Sequence, residues 1–140
     1  MRDKLNELEK YVKETYMDIT KILNLMIEIL DKNIRGLKIE NYIGDYPTFM
    51  EPVILGDKVK IGDDVLIGPK VYIGSNSEIE DYVEISNSII FDNVKIGINS
   101  KINNCIIMKD SKLNFANSSF NDSILKGKAE SVEDLEIIPL

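Results

Sequence analysis

The sequence of 140 residues contains no histidine, and this absence restricts its chemistry more than any other feature. Histidine is the commonest general base near neutral pH and the commonest metal ligand. The one cysteine, Cys105, excludes an internal disulfide framework and a zinc cluster of cysteines. Whatever the protein does, it does without histidine and without paired cysteines.

Arginine and long apolar runs are also scarce. Arg2 and Arg35 are the only arginines, and the net charge is -7. An acidic chain with so little arginine is poorly suited to nucleic acid or an anionic membrane, so we expect neither as a partner. No apolar run approaches the roughly 18 residues that would span a bilayer. The N-terminus MRDKLNELEK lacks the apolar region of a signal peptide, which predicts a cytoplasmic protein.

Residues 3–32 predict one long N-terminal α-helix, because they lack glycine and proline and are rich in good helix formers. Apolar residues recur along it at spacings of three and four, which is a heptad seam. The seam consists of Leu5, Leu8, Val12, Thr15, Ile19, Ile22, Met26 and Ile29. The second half carries further apolar residues, so the helix needs cover on more than one side. These are Leu23, Leu25, Ile27 and Leu30.

From Leu55 onward a period of six residues replaces the heptad. The first position of each phrase is Leu55, Ile61, Ile67, Ile73, Ile79 and Ile85. The fifth position is small or β-branched, as Val59, Val65, Val71, Ser77, Val83 and Ile89. The residues between are largely Gly, Asp, Lys, Asn and Glu, which suits a short strand followed by a turn. Three such phrases close a triangular coil of 18 residues with both apolar positions pointing inward.

Three later segments repeat at intervals of 17 and 18 residues: ISNSII (85–90), INNCII (102–107) and FNDSIL (120–125). Between the first two, VKIGINSKI restores the simpler phrase, with Ile96 and Ile102 inside. Recurrence at this period is the signature of a solenoid. The sequence therefore predicts an all-β solenoid, a parallel β-helix of about four coils preceded by the long helix.

We expect four segments along the chain: an N-terminal helix over 1–33, a connector over 34–52, the β-helix over 53–127 and a capping tail over 128–140. A solenoid leaves unpaired backbone groups at both ends, so both ends need cover. The tail can cover one end, and the second half of the helix is expected to cover the other. The apolar residues available in the tail are Leu135, Ile137 and Ile138.

The [Leu/Ile/Val]-Gly-x-x-[Val/Ser]-x phrases of residues 55–85 resemble the hexapeptide repeat of left-handed parallel β-helices. The Asn-Ser-Ile-Ile spelling at 87–90, echoed at 104–107 and 122–125, is similar to the C-terminal β-helix of sugar-phosphate nucleotidylyltransferases, the NDP-sugar pyrophosphorylases. That family includes glucose-1-phosphate thymidylyl- and uridylyltransferases and mannose-1-phosphate guanylyltransferases. The stretch MDITKILNLMIEIL (17–30) resembles the link before that domain. The hexapeptides alone specify fold and not chemistry.

The catalytic half of that family has no counterpart in this sequence. Its Rossmann-like domain opens with a Gly-rich loop containing arginine, and nothing here reads Gly-x-Gly-x-Arg. A nucleoside triphosphate needs backbone N–H groups, cations and metal-binding carboxylates placed together. Other hexapeptide families, acyltransferases and a class of carbonic anhydrase, resemble the chain in fold but depend on histidine. We therefore assign no catalytic, cofactor-binding or metal-binding residue and expect no cofactor.

Two columns of stacked polar residues admit both a chemical and a structural interpretation. Cys105 aligns with two serines of the neighbouring coils, which favours a small packed residue over an activated nucleophile. Asn87, Asn104 and Asp122 also align. They could bind a ligand, but a hydrogen-bonded ladder between coils is the favoured interpretation.

Charged residues of the coils are interpreted as a solvated surface. Three acids could hold a cation, but they occupy outward turn positions: Asp57, Asp63 and Asp64. Three lysines are expected to face solvent and to discourage pairing between strand edges. They are Lys58, Lys60 and Lys70.

The leading functional hypothesis is a non-catalytic β-helix module of the nucleotidylyltransferase type. It would serve oligomerisation or regulation of sugar-nucleotide synthesis beside a catalytic domain that this sequence does not contain, and a separate catalytic chain is one form that this domain could take. One alternative is an acyltransferase-like enzyme that uses a carboxylate of raised pKa in place of histidine. The other is a structural solenoid that binds a protein partner.

The helix also predicts an assembly. A helix of 30 residues is about 45 Å long, whereas four coils spaced by about 4.8 Å are much shorter, so the N-terminal half of the seam should overhang. An overhanging apolar seam favours a homo-oligomer, and the β-branched Ile19 and Ile22 favour a trimer over a dimer. The alternative is that the whole helix lies along its own β-helix.

Overall fold

The computed structural model describes residues 1–140 and begins with two helices rather than one. Helix α1 spans Arg2–Val12 and helix α2 spans Ile19–Glu28, which continues into a π-helical turn at Ile29–Asn33. Asp18 caps α2, because its Oδ1 accepts a hydrogen bond of 3.2 Å from the backbone N–H of Lys21. The structure thus differs from the expected single helix, because the capping residue Asp18 begins a second helix.

The two helices fold back on each other as an antiparallel pair. Lys4 near the start of α1 forms an ion pair with Glu28 at the end of α2. At the other end, the Lys21 ammonium lies 4.2 Å from the centre of the Tyr11 ring. Neither helix is long and apolar enough to cross a membrane.

The remaining chain winds into a left-handed parallel β-helix of about five coils with three faces. The helix face contains β1 (Leu37–Ile39), β4 (Val53–Leu55), β7 (Val71–Ile73), β10 (Ser88–Ile90) and the second halves of β12 (Lys101–Ile107) and β14 (Ser119–Lys126). The lysine face contains β2 (Tyr42–Ile43), β5 (Val59–Ile61), β8 (Glu78–Ile79), β11 (Lys95–Ile96), β13 (Lys112–Leu113) and β15 (Lys128–Ala129). The polar face contains β3 (Thr48–Phe49), β6 (Leu66–Ile67), β9 (Glu84–Ser86) and the first halves of β12 and β14.

The predicted register of the coils is confirmed. Leu55 pairs with Ile73, Ile61 with Ile79, and Ile67 with Ile85 in parallel strands. The seven isoleucines expected inside are each at most 5% exposed: Ile61, Ile67, Ile73, Ile79, Ile85, Ile96 and Ile102. The core is therefore a stack of apolar side chains, mostly isoleucine and valine, that repeats once per coil.

The coil corners are made by non-glycine residues in the left-handed backbone region. From Lys58 to Asp122 each corner residue has φ between 48° and 65°, and most of them are asparagine or aspartate, which tolerate this conformation best. The phrase glycines allow the coils to approach closely: a Cβ on Gly97 would overlap the carbonyl oxygen of Phe115 in the next coil. Only Gly68 among them has a positive φ, of 117°, so these glycines serve mainly the close approach of coils, whereas the sequence suggested that they serve the turn.

One position predicted to point inward points outward. Ile89 was expected inside with the other fifth positions, but it packs against the helices instead. The corner residues Tyr82 and Asn87 are five residues apart rather than six. The shorter interval places Ser88 and Ile90 inside and turns Ile89 outward.

The β-helix begins earlier than expected, since the connector at 34–52 supplies the three strands of its first coil. At the other end, β15 belongs to the solenoid, and the tail that follows forms a 3-10 turn at Val132–Asp134 and strand β16 (Glu136–Pro139). Strand β16 pairs antiparallel with β14, and Leu135 is buried in the solenoid core. Ile138 packs beside the helices, whereas Ile137 is exposed.

The helical pair lies along the helix face and buries most of the seam, except Thr15, which is exposed between the helices, and Ile19, which is partly buried. Outward residues of this face stack into an outer apolar column of Ile54, Tyr72, Ile89, Ile106 and Ile124. Apolar residues of the helical segment cover this column: Leu5, Leu8, Val12, Ile22, Leu25, Met26, Ile29, Leu30 and Ile34.

The overhanging seam is therefore a wrong expectation, and the alternative of a helix lying along its own β-helix holds for the folded-back pair. The physical reason is that the helix face is apolar on its outer side too and needs this cover. The homo-oligomer stays a prediction, because a single chain does not test it, but its basis in a free seam is lost. Helix α2 also leaves Ile27 exposed.

The register of the core can be tested by charge. Ile79→Asp should lower the free energy of unfolding by several kcal/mol, because a carboxylate would be placed in an apolar core. Glu80→Ala, which removes only a partly exposed ion pair with Lys95 at 3.2 Å, should cost about 1 kcal/mol or less. Thermal melting compares the two variants, and equal effects would contradict the register.

The cover of the helix face can be tested within α1. Leu8→Asp should lower the free energy of unfolding strongly, since Leu8 is fully buried against the solenoid. Asn6→Asp places the same side chain at an exposed position of the same helix and should change stability little. Urea unfolding measures both, and a stable Leu8→Asp variant would show that α1 does not pack as described.

Candidate functional site

The corner between the helix face and the polar face forms a cleft beside the helical pair. It has a volume of about 320 Å³, and its walls come from the end of α2, the π-helical turn and four coil corners. The lining residues are Ile27, Leu30, Asp31, Lys70, Asn87, Asn103, Asn104 and Asp122. This cleft contains the asparagine column that the sequence singled out.

The asparagine column forms a corner ladder between coils, consisting of Asn87, Asn103, Asn104 and Asp122. The Asn104 amide donates to Asp122 Oδ1 at 2.6 Å, as the ladder interpretation predicted. Asn87 donates to Asn103 Oδ1 at 3.2 Å and not to Asn104. Three of the four residues occupy left-handed corners, so their identity follows first from backbone conformation.

Two of the three charged residues in this cleft are paired, and the third, Asp122, accepts a hydrogen bond from the Asn104 amide. Lys70 Nζ lies 2.8 Å from Asp31 Oδ1, which ties the π-helical turn to a coil corner. The cleft therefore offers amide and carboxylate groups that can hydrogen-bond a polar ligand. Its residues hold no pair of groups arranged as a nucleophile and its base.

Cys105 lies inside the solenoid and is fully buried. Its backbone N–H donates to Ser88 Oγ at 3.0 Å, and it pairs in register with Ser123 of the next coil. Burial raises the pKa of the Cys105 thiol from 9.0 to about 11. A nucleophilic cysteine needs the opposite shift, so the packed-residue interpretation is supported.

The acids considered for a cation do not come together. The backbone N–H groups of Asp57 and Asp63 donate to Ser75 Oγ at 3.1 Å and Asp81 Oδ1 at 2.9 Å in the next coil. Asp64 is an exposed left-handed corner residue with φ of 55°. No group of three or more acidic or cysteine side chains in the chain is placed to hold a metal ion.

The lysines lie at the surface, as expected. Lys58 is an exposed corner residue, and Lys60 faces Glu78 on the lysine face at 4.0 Å. The outward residues of this face stack as Lys60, Glu78, Lys95, Lys112 and Lys128. Glu78 lies between two lysines, whereas Lys95, Lys112 and Lys128 are like charges in register, so this face is charged and faces solvent.

A larger cavity at another corner was missed by the sequence reasoning. It has a volume of about 430 Å³, lies between the lysine and polar faces, and includes Phe115 and Ile98. Asp110 and Asn117, the corner residues that flank Phe115, are seven residues apart rather than six. The signal was present in the sequence, since the interval between INNCII and FNDSIL is 18 residues where the preceding interval is 17.

The triangular coils, the stacked isoleucines and the left-handed corners define a hexapeptide-repeat protein with a left-handed β-helix. A family model described as the GMPPB C-terminal domain, a sugar nucleotidyltransferase β-helix, matches residues 49–138. This match covers more than half of the chain, so the chain belongs to that family. No curated protein matches its sequence.

One solved structure is similar over most of the chain. It is a hexapeptide-repeat-containing acetyltransferase from Vibrio cholerae O1 biovar eltor in complex with acetyl coenzyme A. The alignment covers 98% of this chain and 85% of that chain at 16% identity, with a TM-score of 0.22. At this TM-score the likeness carries no argument about ligand or reaction.

The buried thiol gives a pH-dependent prediction. An unfolded Cys105 ionises near pH 9, whereas the folded thiol ionises near 11, so the stability due to its neutral form is complete below about pH 9. It is lost as the pH rises toward 11, and the loss amounts to about 2–3 kcal/mol. Urea unfolding at both ends of this range should show that the parent chain loses more stability than Cys105→Ser, which fits a column that already contains serine. Equal losses would contradict the raised pKa.

Proposed function

We propose that this chain is a non-catalytic β-helix module of the nucleotidylyltransferase type, which serves assembly or regulation in sugar-nucleotide synthesis. The observation that carries the proposal is the family match over residues 49–138, a range that runs from β3 to β16. The matched family is a C-terminal domain, and such a domain acts together with a catalytic part. We infer that the module acts beside such a catalytic part in the cytoplasm, and a separate catalytic chain is one form that this part could take.

The chemistry of the polar and titratable groups is consistent with a module of this kind. The amides of the corner ladder bond to one another, and burial raises the pKa of the Cys105 thiol. An enzyme that replaced histidine by a carboxylate would need a raised carboxyl pKa. Lys4 instead holds the pKa of the Glu28 carboxyl below its usual value. These groups therefore favour a binding role over proton transfer.

The architecture also suits a module that stays folded beside another protein. The helical pair covers the outer apolar column, and β16 with Leu135 closes the C-terminal end of the solenoid. The solenoid therefore buries its own apolar face without a partner. A partner can then bind and leave without unfolding this chain.

The proposal predicts the outcome of two activity assays. The purified chain should form no nucleotide sugar from sugar 1-phosphates and nucleoside triphosphates, and should transfer no acetyl group from acetyl coenzyme A. Pyrophosphate release and free-thiol release measure the two reactions, with a full-length nucleotidylyltransferase and an acetyltransferase as positive controls. Turnover that copurifies with the chain and is lost in Asp122→Asn or Asp31→Asn would contradict the proposal and favour the acyltransferase alternative.

The same proposal predicts a partner effect. Added to a catalytic nucleotidylyltransferase chain from its own source, the protein should comigrate with it in gel filtration or change its kcat or KM. Leu8→Asp, whose helix cover is disrupted, serves as a misfolded control. Neither comigration nor a change in rate, together with a monomeric chain, would refute a role in assembly or regulation.

A further inference from the structure

The two ends of the solenoid are finished differently. At the C-terminal end, β16 pairs with β14 and Leu135 enters the core. At the N-terminal end, strands β1, β2 and β3 each have a partner on one side only. The helices that were expected to cover this end lie along the helix face instead. The first coil therefore has an open edge.

Inner side chains of the first coil are exposed because no further coil covers them. Leu37 is 45% exposed, whereas Val53, its partner in the next coil, is fully buried. Tyr42 is 37% exposed, and its partner Val59 is fully buried. Other apolar residues of this coil are exposed as well, and the five together are called the open-end patch: Leu37, Tyr42, Ile43, Tyr46 and Met50. Of these, Ile43 pairs with the outward Lys60 and so points away from the solenoid axis. Several large apolar residues exposed at one end of a protein are typical of an interaction site.

The backbone of β1 is also available for pairing. Gly36 C=O accepts from Val53 N–H at 2.9 Å, and Glu40 N–H donates to Leu55 C=O at 3.4 Å, so the even-numbered residues bond to β4. Because backbone groups alternate along a strand, the N–H and C=O of Ile39 point to the open edge. An edge strand with free groups is a template for another strand.

We propose that the open end docks against the open end of a second copy, with β1 of the two copies paired antiparallel about a two-fold axis at Ile39. In this register the Ile39 backbone exchanges both of its hydrogen bonds with Ile39 of the partner subunit. The inference rests on the proposed role in assembly and names the surface that performs it.

The side-chain charges of β1 favour a second copy as the partner, and they favour the register with Ile39 on the axis. Lys38 and Glu40 flank Ile39 on the outward side of β1, and neither belongs to an ion pair of its own chain. With Ile39 on the axis, Lys38 lies opposite Glu40 of the partner subunit, and this pair occurs twice. With Lys38 on the axis, two lysines would face each other, which is unfavourable. The sequence Lys-Ile-Glu is thus self-complementary in charge about its central residue.

The open-end patch adds apolar contact to this pairing. Leu37 and Tyr42 point toward the solenoid axis, and Tyr42 packs edge-on against Phe49 at 5.8 Å between ring centres. Two such ends would cover each other's exposed core residues. One strand pair and one patch make a small interface, so we expect a reversible dimer that depends on protein concentration.

Charge reversal tests the proposal. Analytical ultracentrifugation over a wide range of protein concentration should show a monomer–dimer equilibrium for the parent chain. Lys38→Glu and Glu40→Lys should each weaken the dimer by about tenfold or more, because each places two like-charged pairs at the axis. The double variant Lys38→Glu with Glu40→Lys restores opposite charges and should recover the dimer. Lys60→Glu with Glu78→Lys, the same exchange in the middle of the lysine face, is the control and should leave the dimer unchanged.

The outcomes distinguish the open-end dimer from the broader proposal of a role in assembly or regulation. All variants change exposed residues, and circular dichroism verifies that they remain folded. If the parent chain forms an oligomer whose dissociation constant is unchanged by Lys38→Glu, the open-end dimer is overturned but a role in assembly is not. A chain that is monomeric at every concentration overturns it as well. If Lys38→Glu then weakens binding to a catalytic chain, that chain and not a second copy occupies the open end.

Discussion

The whole molecule depends on one constraint, which is that each coil must place an apolar side chain, most often isoleucine or valine, directly above the one in the coil before. Ile67, Ile85 and Ile102 satisfy it on one face, and their strands pair in parallel register. This stacking fixes the length of a coil, and therefore the position of every corner. The corners in turn need a residue that accepts a positive φ, which explains the many asparagines. The ladder of amides is therefore explained by the geometry of the core, and it does not by itself indicate a binding site.

A change of one residue in this spacing has effects on both sides of the sheet. The five-residue interval between Tyr82 and Asn87 turns Ile89 outward, where it continues the outer apolar column. A face that is apolar on its inner and outer sides cannot remain in water, so it needs the helical pair. Phe115 shows the reverse case, because a seven-residue interval opens a corner cavity instead. Departures from the repeat thus decide where the solenoid is covered and where it is open.

The parts that could be predicted from sequence are those that repeat. The register of Leu55 on Ile73, the buried isoleucines and the buried Cys105 follow from aligned phrases, because one observation about a coil applies to the next. The helical segment could not be predicted in the same way. A heptad seam indicates that one side of a helix is buried, but it does not indicate which surface covers that side. In addition, Asp18 begins a second helix within an apolar pattern that is otherwise continuous. The first coil was missed because its residues, such as Tyr42 and Thr48, do not follow the hexapeptide spelling.

The same reasoning explains why an interaction is expected at one place on this molecule. The helix face is covered by its own chain, the lysine face carries a column of charged residues, and the C-terminal end is closed by β16. The first coil departs from the repeat, with Leu37 and Tyr42 at inner positions and no coil before them. Its backbone edge, its exposed core residues and the charges on either side of Ile39 lie together there. The strands of this coil are paired on one side only, so their free edge has the geometry that a further strand requires, and for this reason the proposed second copy is placed there.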